Sequence, residues 1–547
     1  MRKRLFLIIV LMLLFAPFLQ GCDHLLDFLP IDLPYVPQVP IPEPTPEPEE
    51  EPEEPEPEPP PPPPRPGRFT LRHDPGSTMN PILSMNRDNI ILSSLIYETL
   101  FVLDSNLTVV PVLARNWETE DYITHTIEIY PDIAMHDGST LTADDVVYSF
   151  RQALQRGRFV NRFQPVMSFD ILDEHTFNVR LESANSRFTS LLDFPIIKAG
   201  SINEPIPPGT GPFIPVGQTE LTHLELFNMH RNAAYMPISR IFLISGSDSE
   251  LTELFDGRVL SLLWDDPASA FDIRLNALHE TRFYDTTSLQ FIGFNASGLF
   301  MRDPDIRRAI GASIERQRIV EEIMPGQSLA APLPIPSFFQ WYNPNWELSH
   351  LTPEQEMSYL FHRAGLEDFN NTSYLELRTA SGYTRFTVDF IVNIENSHKV
   401  QAAHRIARNL RQAGVDITVR ELPWDQFLSA LNRGEFCMYY GEIMLGGDFD
   451  LSPLLLPGPL NFGGTASTRY RMYIDGFLSA RGNLEISVAT EILLNEIRIN
   501  APFAPILYKR HAIYFPLGAI SGAQPSQSAI FHNFHNWSID LYMLSAG

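Results

Sequence analysis

The chain has 547 residues, with 40 lysines and arginines against 66 aspartates and glutamates, for a net charge of −26. Hydrophobic residues at 44 % and charged residues at 19 % suffice to bury cores, which excludes a wholly disordered chain. The acidic balance excludes a general nucleic-acid binder, which needs a basic face to displace counterions from phosphates. The length predicts several domain-sized units at roughly 150 residues each. Two cysteines, Cys22 and Cys437, cannot form a disulfide scaffold or a four-cysteine zinc site.

The first elements form an address and a spacer. Arg2, Lys3 and Arg4 precede an apolar run from Leu5 to Leu19, too short for the ~20 residues of a spanning helix. Leu19-Gln20-Gly21-Cys22 follows and resembles a bacterial lipobox, so residues 1–21 read as a lipoprotein signal peptide and Cys22 as the lipidated N-terminus. Residues 22–67 read as a Pro/Glu-rich disordered tether. Eighteen of the 47 prolines lie between Pro30 and Pro66. Proline fixes φ and removes donors, and the glutamates repel one another, which predicts extended polyproline II reaching on the order of 120 Å at ~3.1 Å per residue.

The body alternates helix and strand signals. Ile91, Leu92, Leu95, Ile96 and Leu100 predict a helix over residues 89–100. Ile123, His125, Ile127 and Ile129, and then Phe177, Val179 and Leu181, have strand spacing and predict antiparallel sheet. Thr142-Ala143-Asp144-Asp145 reads as a helix start, a Thr cap with carboxylates in the first turn. Ser397 is a candidate cap for a helix carrying Val400, Ala403, Ala407 and Leu410, stopped by Gly414 before a strand at Val415, Ile417 and Val419. No short repeat argues for a solenoid or propeller.

The motifs of common chemistry are missing from the sequence. There is no His-Glu-x-x-His helix, no phosphate loop and no G-x-S-x-G elbow. Gly209-Thr210-Gly211 runs at once into Pro212. His532 and His535 lack a neighbouring carboxylate or cysteine, so they read as surface or core histidines and no metal is expected. Asp144-Asp145 and Asp265-Asp266 are adjacent pairs whose side chains diverge, unlike a shared-proton dyad.

Several segments together resemble the extracytoplasmic solute-binding proteins of peptide-type ABC importers, family 5. They are Tyr97-Glu98-Thr99-Leu100-Phe101 with Val110 to Ala114 and Trp117-Glu118, then His136-Asp137-Gly138 with Leu141 to Phe150. Gly209 to Phe213 with Arg231-Asn232 and Tyr235, Phe294-Asn295 with Arg307 to Ile310, and Ala501-Pro502 with Pro505 and Tyr508 follow in the family's order. The likeness covers residues 70 to 540. It departs at Tyr130-Pro131, where the family usually has Lys or Arg, and at Met444 and Leu445, which replace a usual tryptophan.

The resemblance implies an α/β, three-lobed periplasmic-binding-protein-like fold of class II, with mixed sheets and a hinge between two main lobes. Carried over, domain I holds 68–112, 200–290 and 506–547, domain II 113–199 and domain III 291–505, with hinge strands including Gln290 to Asn295. It implies a binder and not an enzyme, with no cofactor: a monomer tethered by lipid to the outer face of the cell membrane, taking a peptide (expected to be an oligopeptide) to ABC permease subunits. A secreted or surface hydrolase and a non-transport sensor or adhesin are the alternatives. In Gly446-Gly447-Asp448-Phe449-Asp450, Asp448 matches the aspartate that peptide-binding members pair with an α-amino group. Phe449, Asn461, Asn295, Trp264, Tyr97 and Asn80 complete the expected ligand-binding set.

Overall fold

The computed structural model describes residues 67–544, apart from 218–220, 270–272, 348–350 and 465–467. The signal peptide, Cys22 and the tether therefore lie outside the described residues.

The first structural unit is a four-stranded sheet in the order Thr70–Arg72, Arg240–Ile244, His223–Leu226, Phe213–Val216. Its core joins Phe69, Leu95, Ile96, Phe213 and Ile241 to Ile513, Phe534 and Trp537 from the end of the chain. The helix beside it runs Arg87–Ile96 and stops earlier than the apolar spacing suggests. Asn86 caps its start by accepting from the Asn89 amide, and Tyr97 turns extended. The turn tightens where Gly209 lies against the next segment. A Cβ there would meet the Ile96 carbonyl oxygen and the Tyr97 ring, each at 2.5 Å, so only glycine fits.

The second unit is the antiparallel sheet that the alternating residues require, in the order Ala114–Glu118, Thr124–Ile129, Thr176–Leu181, Val166–Ile171. Helix Ala143–Gln155 covers it and buries Val146, Val147 and Phe150 against Ile127, Phe177 and Val179. The Thr142 amide and hydroxyl both donate to Asp145, at 2.9 and 3.0 Å. Asp145 also accepts from the Ala199 amide and pairs with Lys198 at 3.2 Å, which accounts for its burial.

The third unit holds the βα pattern. Thr387–Asn393 and Asp416–Leu422 are parallel neighbours joined by helix Ser397–Gln412. Asn396, one residue ahead of the expected Ser397, is the cap, because its side chain accepts from the Lys399 amide. Gly414 at φ +87° ends the turn.

Two long strands tie the third unit to the first. His279–Phe294 runs outward and Phe503–Pro516 returns beside it, in a sheet ordered Leu263–Asp265, Phe503–Pro516, His279–Phe294, Met438–Met444, Thr387–Asn393, Asp416–Leu422. At the start of the outgoing strand its partners are the first unit's; from Ser288 onward it also pairs with Met438–Met444. Between these parts the register breaks, from Asp285 to Leu289. Thr286, Thr287 and Ser288 fill the break with their backbone out of water. The Thr286 hydroxyl donates to the Lys509 carbonyl at 2.7 Å and that of Thr287 to the Leu445 carbonyl at 2.6 Å.

Beside the break lies a buried ionic cluster. Lys509 of the returning strand donates to Asp266 and, at 3.0 Å, to Glu442. Lys399 meets Glu442 at 2.9 Å, and Gln290 donates to it at 3.0 Å. Burial disfavours the Glu442 charge, yet the Lys399 and Lys509 charges outweigh it and hold the carboxyl at about 2. Lys509→Met should destabilise the protein by about 3–5 kcal/mol in urea unfolding, because two buried carboxylates lose their common cation. A loss below about 1 kcal/mol contradicts this account of the crossing.

Candidate functional site

Among the described residues, besides a cavity of about 450 Å³ confined to residues 420–435, three sizeable cavities border expected ligand-binding residues. The largest, about 860 Å³, belongs to the first unit and its flanking loops, with Arg72, Asp74, Arg87 and Trp264 in its wall. Another, about 590 Å³, lies beside Tyr97, Glu98, Arg231 and His532. The third, about 230 Å³, alone among these three has walls from both sides of the crossing strands. Residues 106–109 and 186–190 form one side, and Phe339, Gln340, Trp341, Gly447 and Phe449 the other.

Gly447 and Phe449 of the Gly446–Asp450 turn line this third cavity. The turn follows the strand Met438–Met444 and is pressed against the second unit: a Cβ on Gly447 would lie 2.9 Å from the Ser190 carbonyl oxygen. Phe449 adopts φ 54°, a left-handed conformation that costs a bulky residue roughly 1–2 kcal/mol. Its fully buried ring packs edge-on against Phe339 at 5.1 Å, which offsets the cost and turns Asp448 toward the second unit.

Asp448 is buried. One carboxylate oxygen accepts from the Asn185 side chain at 2.9 Å, and the other accepts from the Asp450 amide at 3.3 Å. Burial, followed by the charge of Asp450, pushes the carboxyl up to about 6 against the opposing effects of Asn185 and Arg187. Arg187 donates from Nε to the Asp448 carbonyl at 3.2 Å and from Nη2 to the Phe477 carbonyl at 3.1 Å. Its guanidinium stacks 4.1 Å over the Phe477 ring. The Ser186 amide donates to the Leu478 carbonyl at 2.8 Å, so residues 185–187 seam the second unit to the third.

The expected ligand-binding residues separate in space. Phe449 lines the 230 Å³ cavity, whereas Asp448, one residue earlier in the same turn, is buried beside it and outside the lining. Trp264 stands in the 860 Å³ cavity, its indole donating to the Tyr284 hydroxyl at 2.5 Å with Arg87 3.7 Å over the ring. Tyr97 borders the 590 Å³ cavity, with its hydroxyl donating to the Pro207 carbonyl. Asn80 is fully buried and holds a turn, donating to the Ile202 carbonyl and accepting from the Ile82 amide. Asn295 donates to the Gly434 and Phe436 carbonyls, and Asn461 to the Leu456 carbonyl. Both sit at the far end of the outgoing strand, where Phe294 pairs with Met438, roughly 20 Å along the sheet from the Ser288–Met444 pair. Neither is brought to the Asp448 turn. Arg187, Phe339 and Trp341 line this cavity and Asn185 holds Asp448, and the sequence reading named none of them; the aromatic run Phe338-Phe339-Gln340-Trp341-Tyr342 was an available signal.

Two layered bodies connected by paired strands, with a cavity walled from both, define a solute-binding fold. The chain belongs to the bacterial extracellular solute-binding proteins, family 5, whose middle-region profile matches residues 108–457. It is 20 % identical over 383 residues to the oligopeptide-binding protein AppA of Bacillus subtilis, covering 64 % of this chain and 68 % of that one. It is 22 % identical over 268 residues to the glutathione-binding protein GsiB of Pectobacterium atrosepticum, covering 44 % of this chain and only 50 % of that one. Among solved structures, AppA of Bacillus subtilis with a nonapeptide superposes with a TM-score of 0.63 at 17 % identity, over 87 % of this chain and 99 % of that one. The unliganded open form of the murein tripeptide-binding protein MppA gives 0.70 at 14 % identity, over 86 % and 97 %. The fold is thus the periplasmic-binding-protein fold of this family. No helix among the described residues is long and apolar enough to cross a membrane.

The buried Asp448 makes a pH prediction. Its folded pKa of about 6 lies above the ordinary 3.8, so its protonation favours the fold below 3.8 and that stability is lost as the pH rises through 6. Asp448→Asn has no proton to lose. Between pH 4 and 7 wild type should lose about 2–3 kcal/mol relative to the variant in urea unfolding. A difference that stays flat across this range contradicts the burial account.

Proposed function

We propose that the protein is a lipid-anchored receptor that captures a peptide between its two bodies and delivers it to an ABC importer. The observation that carries this reading is Asp448, a buried carboxylate in the turn whose Gly447 and Phe449 line a cavity walled from both sides of the crossing strands. A ligand ammonium placed beside it would gain a charge-assisted bond in a water-poor site, where an unpaired ammonium would be strongly disfavoured. The peptide-binding names of relatives such as AppA support the ligand class, and the absence of a catalytic motif fits capture without turnover.

In this reading the three lobes are those proposed from the sequence: 68–112, 200–290 and 506–547 for domain I, 113–199 for domain II and 291–505 for domain III. The pivot is the register break at 285–289, just ahead of the stretch from Gln290 to Asn295. Cys22 is the lipid attachment point, and the tether holds the monomeric receptor on the outer face of the membrane within reach of the permease. Incorporation of labelled fatty acid should disappear in Cys22→Ala; equal labelling of both proteins contradicts the anchor.

Calorimetry with a peptide and its N-acetylated twin tests the capture step. The free amine should bind more tightly, and Asp448→Asn should weaken it by about 2–5 kcal/mol, the usual loss when one member of a buried charge pair is truncated. Asp448 must be ionised to accept the amine, so affinity should fall as the pH drops below about 6. Equal affinity for the two peptides contradicts recognition of an α-amino group.

A further inference from the structure

His532 and His535 carry no chemistry as a pair in the sequence, but the fold gives them neighbours. In Phe531-His532-Asn533-Phe534-His535 the phenyl and imidazole rings each recur after three residues, and the chain winds into a 3₁₀ turn at Phe534–Asn536. Side chains three apart in such a turn lie above one another. Phe531 and Phe534 are buried in the first unit's core, whereas His532 and His535 are half-buried in the wall of the 590 Å³ cavity. Arg231 and His230 reach the same wall from another part of the chain. Glu98 is already engaged there, accepting from both terminal nitrogens of Arg231 at 2.9 and 2.6 Å and lying 3.3 Å from His230 Nε2. The His535 ring forms no hydrogen bond or ion pair among the described residues, and the His532 ring meets only the Asn533 side chain, at 2.9 Å. Burial, then the charges of His230 and Arg231, lower the His535 pKa. Burial lowers that of His532 against the opposing charge of Asp104, and His535 adds to the lowering. Both rings are therefore largely uncharged at neutral pH. Asp132, the remaining carboxylate of the wall, is exposed and screened by solvent. No three histidines, cysteines or carboxylates among the described residues are arranged to hold a metal ion.

We propose that this cavity is a second binding site, for a small aromatic carboxylic acid whose carboxylate is held by His532 and His535. The site goes beyond the capture reading, since none of its residues belongs to the Asp448 turn. Its volume, about 590 Å³, lies within the roughly 300–1,000 Å³ of pockets that bury small molecules. Val110, Val112 and Met236 give it an apolar side, and the Tyr130 ring in its wall is 43 % exposed, free to stack on a ligand ring. The charge of the ligand follows from the polar groups that remain. Glu98 is spent on Arg231 and His230, so a cationic ligand finds no buried carboxylate to meet it, whereas the two imidazoles can each present an N–H. A carboxylate beside them favours their charged forms and offsets the Arg231 and His230 charges that keep His535 neutral in the free protein. Binding of the acid therefore draws a proton into the cavity.

The test is calorimetry on the full protein with 3-phenylpropionate and its neutral amide, 3-phenylpropanamide, in buffers of different ionisation enthalpy. The acid should bind with uptake of about one proton, so its affinity should rise about tenfold from about pH 7.5 to about pH 6.5. At the lower pH it should bind about 10–100-fold more tightly than the amide, the range expected for hydrogen bonds to a charged group. The double variant His532→Gln, His535→Gln keeps polar side chains that cannot take up a proton. It should lose the proton uptake, the pH dependence and the preference for the acid. Tyr130→Ala, at an exposed position, should weaken the acid while keeping the proton uptake, and it locates the site even if the double variant fails to fold. No binding of the acid, equal binding of acid and amide, or binding of the acid without proton uptake overturns the inference. Undiminished binding of the acid in either variant places it elsewhere on the protein and overturns the inference too.

Discussion

The paired strands His279–Phe294 and Phe503–Pro516 are the constraint on which everything else depends. They are long enough to belong to two bodies at once, pairing with Leu263–Asp265 on one side and Met438–Met444 on the other. A sheet of that length would be stiff if its register were unbroken. The break from Asp285 to Leu289 relieves the ladder locally, and side-chain hydroxyls of Thr286 and Thr287 take over hydrogen bonds that a regular strand would make through its backbone. The Lys509, Asp266 and Glu442 cluster sits beside it, and its charges satisfy one another out of water. That cluster gives little net stability against an apolar equivalent, but it sharply penalises any arrangement that separates its members.

The same economy of charge appears at the cavity. Asp448 and Arg187 are both buried, yet they do not neutralise each other through a direct ion pair; Arg187 binds the Asp448 carbonyl instead. Each keeps a charge that protein groups only partly stabilise, which raises the Asp448 pKa and lowers that of Arg187, burial being the largest cause for both. The positive φ of Phe449 belongs to the same arrangement, because its buried ring fixes the turn that presents Asp448.

Local patterns were legible in the sequence wherever burial has a simple period. The alternation through Ile127 and Ile129, the Thr142 helix start and the βα unit ending at Gly414 all follow from backbone geometry and one buried face. The helix before Tyr97 ended sooner than its spacing implied because Tyr97 is needed, extended and buried, against Gly209. Site membership was less legible, because it depends on contacts between residues far apart in the chain. Asn80, Asn295 and Asn461 carry the right groups for ligand binding, but each spends its amide on a nearby carbonyl. Arg187 shows nothing unusual in Asn185-Ser186-Arg187; its meaning appears only when Asp448 and Phe477 arrive from more than 250 residues away.

The central claim is that two bodies joined at the strand break close around a ligand held between them. Small-angle X-ray scattering on residues 68–547, without and with saturating ligand, tests it most directly. The account predicts a smaller radius of gyration with ligand. An unchanged radius of gyration at saturation would contradict closure and would make this a rigid binder.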